Sequence, residues 1–139
     1  MFKAIDHNND QDITLQYNSA KGLNADIEDF YEMDSPIGSP ASLNITWKYN
    51  ATTVHLKKAA TEYPDSLFWS FASSEYTATV PPNTPEIQAI GNGTQITPLG
   101  GVNQRLASFL QGTKGKRPGI VTLDLFEEPS HLTKTPPSP

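Results

Sequence analysis

Apolar and polar positions alternate along this chain in two different periods, and the switches between them mark out the elements. Over residues 24–33 the period is two, so Ala25, Ile27, Asp29, Tyr31 and Met33 share one face of an extended segment. Residues 34–50, rich in Ser, Pro and Asn, predict a loop. Apolar positions then return at helical spacing, with Leu56, Ala59, Ala60 and Tyr63 as the stripe. This predicts a helix over 52–63, with Asn50 as its cap and Pro64-Asp65 as its stop. Leu67-Phe68-Trp69-Ser70-Phe71 predicts a second, aromatic-rich strand. A long Thr/Pro/Gly loop over 74–100 follows. Val102, Leu106, Phe109 and Leu110 mark a second amphipathic helix, closed by Gly112.

The last strand, over 119–125, is nearly all apolar but carries Asp124 close to its end. A continuous apolar run predicts burial on both faces, as in a parallel sheet. Ile120, Thr122 and Asp124 share one face, and Val121, Leu123 and Leu125 share the other. An ionised Asp is costly in such a strand unless it is paired or serves a site. Asp124 either opens into the mouth of the sheet or caps the strand's final turn.

The order strand, helix, strand, helix, strand is a βαβαβ unit, and it predicts an α/β fold with a parallel sheet. Three strands cannot close a barrel and leave two unpaired edges, so the unit reads as the end of a larger fold. The organisation expected is a polar N-terminal segment over 1–22, the α/β portion over 23–132 and a disordered tail over 133–139.

Composition narrows the classes. The 139 residues suit one domain or a piece of a larger one. With a net charge of −5 there is no basic footprint for nucleic acid. No apolar run reaches the roughly 18 residues of a membrane span, and the start is too polar and acidic for a signal peptide. Cysteine is absent, which removes disulfide, Cys-metal and thiol-nucleophile readings. Sequons at Asn44, Asn50 and Asn92 favour a secreted glycoprotein if a leader precedes this sequence.

Other candidates carry less chemistry. Asp6, Asn8, Asp10 and Asp12 imitate the opening of a calcium loop, but Gln11 stands where Gly is needed and Tyr17 where the bidentate Glu belongs. No metal or cofactor site is expected. Lys114, Lys116 and Arg117 form a small basic turn, read as solvated, with contact to a lipid headgroup as its functional alternative. Trp47 reads as a rim aromatic in the loop, and Trp69 as core. His55 falls beside Lys58 and Glu62 on the polar side of the first helix and reads as a solvated surface residue. His7 and His131 lie in polar terminal segments, where surface roles are expected.

At three places the residues resemble a known family. Arg117-Pro118-Gly119-Ile120-Val121-Thr122-Leu123-Asp124-Leu125-Phe126-Glu127-Glu128-Pro129 resembles the closing strand of the phosphatidylinositol-specific phospholipase C-like phosphodiesterases, in their fungal secreted branch. Ile27-Glu28-Asp29-Phe30-Tyr31-Glu32 resembles that family's Asp-x-Tyr strand. Gly101-Val102-Asn103-Gln104-Arg105-Leu106 resembles its last helix, with Ser66-Leu67-Phe68-Trp69-Ser70-Phe71-Ala72-Ser73 as the penultimate strand. The likeness spans residues 24–132, about the last third to half of such a catalytic domain.

The resemblance implies a distorted (β/α)8 TIM-type barrel and a phosphoric diester hydrolase acting on a phosphoinositide-type lipid. Two histidines transfer protons there, one as base on the inositol hydroxyl and one as acid on the leaving alkoxide. Asp124 matches the carboxylate that orients the base, and Asp29 and Tyr31 match the inositol-binding pair. The chain departs from the family in its histidines, since His7, His55 and His131 all lack the His-Asp/Asn-Ser context. The expectation is therefore the C-terminal part of such an enzyme, inactive alone, with peripheral membrane contact in its complete form. The alternatives are a non-catalytic secreted binding module and a half-barrel that needs a partner.

Overall fold

The computed structural model describes residues 16–18, 23–24, 26–31, 36–62, 66–93 and 97–126. His7, the calcium-loop imitation and His131 lie outside them. The elements in chain order are β1 (Gln16–Asn18), β2 (Leu23–Asn24), β3 (Asp26–Glu28), α1 (Ala41–Thr61), β4 (Phe68–Phe71), α2 (Pro85–Ile90), α3 (Val102–Gln111) and β5 (Ile120–Thr122). β1 and β2 form a small antiparallel pair within and just past the segment read as polar.

The three strands expected from the alternation are parallel neighbours in the order β3-β4-β5. Ile27 pairs with Trp69 and Trp69 with Ile120, so these three side chains lie in one row across the sheet. α1 and α3 pack against the face carrying Phe68, Ala72, Val121 and Leu123. There Ile45, Leu56, Ala72, Val102 and Leu106 make the core, with Tyr49, Phe109 and Leu110 against it. The architecture is therefore α/β with a three-stranded parallel sheet.

Among the described residues no element covers the other face, which carries Ile27, Trp69, Phe71, Ile120 and Thr122. Trp69 stacks on Phe71 at 5.2 Å between ring centroids and donates its indole N–H to Thr122 Oγ1 at 2.8 Å. The last strand is thus covered on one face only, contrary to the expectation from its apolar run: Ile120 is 43% exposed. Trp69 correspondingly lies half-buried in this open face and not in the core.

Two segments read as loops are helical. α1 begins at Ala41, so 41–50 is its first half, and Asn50 lies mid-helix and exposed instead of capping. The alternation failed here because the buried face of α1 is polar for much of its length, with Asn44, Lys48, Thr52 and His55 beside Ile45, Leu56 and Ala59. Of the stripe predicted from the apolar spacing, Leu56 and Ala59 are buried, Ala60 is half-buried and Tyr63 lies outside the described residues. α2 interrupts the 74–100 loop. Thr84 accepts from the Ile87 N–H at 3.4 Å, and Pro85 occupies the first turn.

Two glycines permit the close approaches that hold the layers. At Gly101 a Cβ would overlap the Ala89 carbonyl, so the start of α3 approaches α2 this closely only with glycine there. Gln104 Oε1 accepts the Gly101 N–H at 2.8 Å, and its Nε2 donates to the Ile90 carbonyl at 2.9 Å, tying both helices together. Gly119 enters β5 at φ +90°, and a Cβ would lie 2.5 Å from the Phe68 carbonyl oxygen.

Candidate functional site

In a parallel sheet every strand ends at the same edge, and the loops beyond that edge collect side chains from separate parts of the sequence. Here the carboxyl edge gathers Asp29 and Tyr31 after β3, Glu75 after β4 and Asp124 after β5. The Glu75 N–H donates to the Tyr31 carbonyl at 3.1 Å, which locks the first two loops together. Tyr76 is buried and pairs with Asn83 through both main-chain bonds, 3.0 and 2.9 Å, while its hydroxyl donates to the Pro36 carbonyl at 2.7 Å. Glu75 is therefore fixed from both sides. Sequence patterning missed it, because it lies in a loop with no period of its own.

Asp124 lies in the turn just past β5, with its carbonyl accepting from Asn103 Nδ2 at 2.8 Å. Burial raises its carboxyl above the ordinary value. Burial also raises the Tyr31 phenol, and the charges of Glu75 and Asp124 raise it further. Tyr31 thus feels both carboxylate charges, 39% exposed and protonated at neutral pH. Such an edge offers carboxylate acceptors and an aromatic face together, a combination suited to a polyol.

The helix-covered side of β3 holds two polar clusters. Glu28 Oε1 accepts from Lys48 Nζ at 2.8 Å and from the Phe30 N–H at 3.1 Å, while Oε2 accepts from Thr52 Oγ1 at 3.1 Å. Lys48 also donates to the Phe30 carbonyl at 2.8 Å. Burial pulls the Lys48 pKa down, and the charges of Glu28 and Asp29 partly restore it.

In the second cluster, His55 Nδ1 lies 2.7 Å from Ser70 Oγ and Nε2 lies 3.2 Å from Asp26 Oδ1. Lys58 Nζ donates to Asp26 Oδ2 at 2.6 Å. Burial opposes ionisation of Asp26, but the hydrogen bonds and charges of Lys58 and His55 outweigh it and lower its pKa.

His55 is therefore buried and engaged, not the solvated residue the helix pattern implied. The tautomer carrying its proton on Nε2 satisfies both contacts, donating to Asp26 and accepting the Ser70 hydroxyl. The Ser-His-Asp order imitates a hydrolase triad. Yet Ser70 is wholly enclosed, on a strand face covered by α1, and no substrate reaches its hydroxyl. This cluster joins α1 to the sheet. Both ring nitrogens of His55 are taken, by Ser70 and by Asp26, so neither is left for the Asp124 carboxylate.

Of the sequon residues, Asn50 and Asn92 are exposed, whereas Asn44 is fully enclosed on the buried face of α1, with no space for a glycan in the folded chain. Trp47 is 41% exposed on α1. Among the described residues no three His, Cys, Asp or Glu side chains converge as metal ligands would, and no helix is long and apolar enough to cross a membrane.

No family model, curated protein or solved structure matches the chain.

Proposed function

We propose that this chain is the inositol-side portion of a phosphoric diester hydrolase of the phosphatidylinositol phospholipase C type, built on the C-terminal part of a (β/α)8 barrel. One observation carries the reading. Asp29, Tyr31, Glu75 and Asp124, far apart in sequence, follow the ends of three neighbouring parallel strands at one carboxyl edge. Barrel enzymes hold their chemistry at that edge. The uncovered row of Ile27, Trp69 and Ile120 also suits the interior of a barrel whose other strands lie elsewhere.

In this reading Asp29 accepts headgroup hydroxyls and the Tyr31 ring packs on the inositol. Asp124 holds the base histidine in its productive tautomer and stabilises the imidazolium that forms. The base and acid histidines come from outside the described residues. The substrate is a phosphoinositide-type lipid or inositol phosphate, and the exposed sequon residues Asn50 and Asn92 fit a secreted protein. The engagement of His55 with Ser70 and Asp26 also favours a second reading, in which the described portion binds a headgroup without cleaving it.

Steady-state kinetics on the complete enzyme tests the roles. Asp124→Asn lowers kcat by about two to four orders of magnitude, with little change in KM, because the base loses its orienting charge. Tyr31→Ala raises KM more than it lowers kcat, because ring packing is largely uniform binding. Near-wild-type kcat for Asp124→Asn rejects the hydrolase assignment.

A further inference from the structure

Past Glu28 the chain leaves the sheet, and the segment bearing Asp29 and Tyr31 has no strand ladder to fix it. Its main-chain groups are nevertheless held. The Phe30 N–H is taken by Glu28 Oε1, the Phe30 carbonyl by Lys48 Nζ and the Tyr31 carbonyl by the Glu75 N–H. Two of these three bonds depend on the Glu28–Lys48 pair.

A fully enclosed lysine is an unusual means of stabilisation. Desolvating an ammonium and a carboxylate costs about as much as their attraction returns, and an apolar pair of similar volume does as well or better. Lys48 is 0% exposed in its side chain and Glu28 11%. What an apolar pair cannot do is present a charged donor to the Phe30 carbonyl and a charged acceptor to the Phe30 amide. Thr52 adds a third contact that fixes the rotation of the Glu28 carboxylate.

We infer that the buried Glu28–Lys48 pair is a positioning device for the headgroup site, clamping both main-chain groups of Phe30 so that Asp29 and Tyr31 are presented at the carboxyl edge. The assignment of that site to a headgroup rests on the reading above; the clamp itself rests on the contacts. Phe30 sits between the two site residues, so its peptide planes set the direction of both side chains.

The test compares the chain with its Glu28→Gln/Lys48→Met double variant, which replaces the charges by near-isosteres and leaves no buried ion unpaired. Tyrosine-labelled NMR, assigned through Tyr31→Phe, follows the Tyr31 titration, and a shift titration with myo-inositol 1-phosphate follows binding. The double variant keeps its core signals, but the Tyr31 midpoint moves toward that of a free tyrosine. Binding weakens by about tenfold to a hundredfold, the scale on which a displacement near one ångström acts.

A folded double variant with an unchanged Tyr31 midpoint overturns the clamp. If the wild type binds no inositol phosphate while the Tyr31 midpoint still moves, the clamp stands and the headgroup reading falls. Hydrogen exchange on the wild type gives an answer even if the variant does not fold. The exposed Phe30 amide and the Lys48 ammonium protons exchange much more slowly than in an unstructured peptide, and free exchange at both rejects the clamp.

Discussion

Asp26 and Asp124 are carboxylates at opposite edges of one sheet, and their surroundings move them in opposite directions. Asp124 is raised by burial, so its contribution to stability is present below the ordinary carboxylate value and lost as pH rises through its folded value. Asp26 is lowered by Lys58 and His55, so its contribution is present above the ordinary value and lost as pH falls through its folded value. Denaturant unfolding across a pH series should therefore separate the two asparagine variants. At neutral pH Asp124→Asn is more stable than the wild type, by less than about 1 kcal/mol because water still screens the site. Asp26→Asn is less stable at neutral pH, and its deficit disappears in strong acid. A destabilised Asp124→Asn would mean that this carboxylate serves the fold and not a site. The edge beyond which Asp29, Tyr31 and Asp124 lie was legible in the sequence, since parallel strands all end on one side; their facing was not, because β3 ends at Glu28 and β5 at Thr122, short of the predicted strands. The engagement of His55 was not legible: polar neighbours on a helix signal solvent only when the strand beneath is apolar, and β3 presents Asp26 and Glu28.

At the scale of elements, β3, β4, α3 and β5 follow the hydrophobic spacing, whereas the first half of α1 and all of α2 do not. Thr84-Pro85-Glu86 is a helix start in its own right, with a capping hydroxyl, a proline in the first turn and an acid beside it. Composition over the long 74–100 segment obscured it. The first half of α1 offers less, because Asn44 and Lys48 occupy core positions that an apolar stripe would fill. The entry to β5 depends on one residue. Gly119→Ala would force a Cβ against the Phe68 carbonyl at a positive φ, and the cost should be roughly 1–3 kcal/mol, the range for strained backbone. Thermal unfolding monitored by circular dichroism checks it, and an unchanged midpoint would show that β5 can enter the sheet another way.

For the molecule as a whole, the helices of the described residues gather on one side of the sheet and leave the row of Ile27, Trp69 and Ile120 on the other, with acidic and phenolic groups along the carboxyl edge. A parallel sheet open on one face is uncommon, since such sheets are ordinarily covered on both. That asymmetry is the physical content of the half-barrel reading, whose proposed headgroup site lies at one end of the open face. The amino edge, by contrast, carries the Lys114, Lys116 and Arg117 turn that leads into β5, a competing attraction for any phosphate. The most direct test of the account is a chemical-shift map of myo-inositol 1-phosphate titrated into the isotopically labelled chain. The account predicts weak, saturable shifts at Asp29, Tyr31, Glu75 and Asp124, abolished by Tyr31→Ala. Shifts confined to Lys114, Lys116 and Arg117, or none at all, would contradict it.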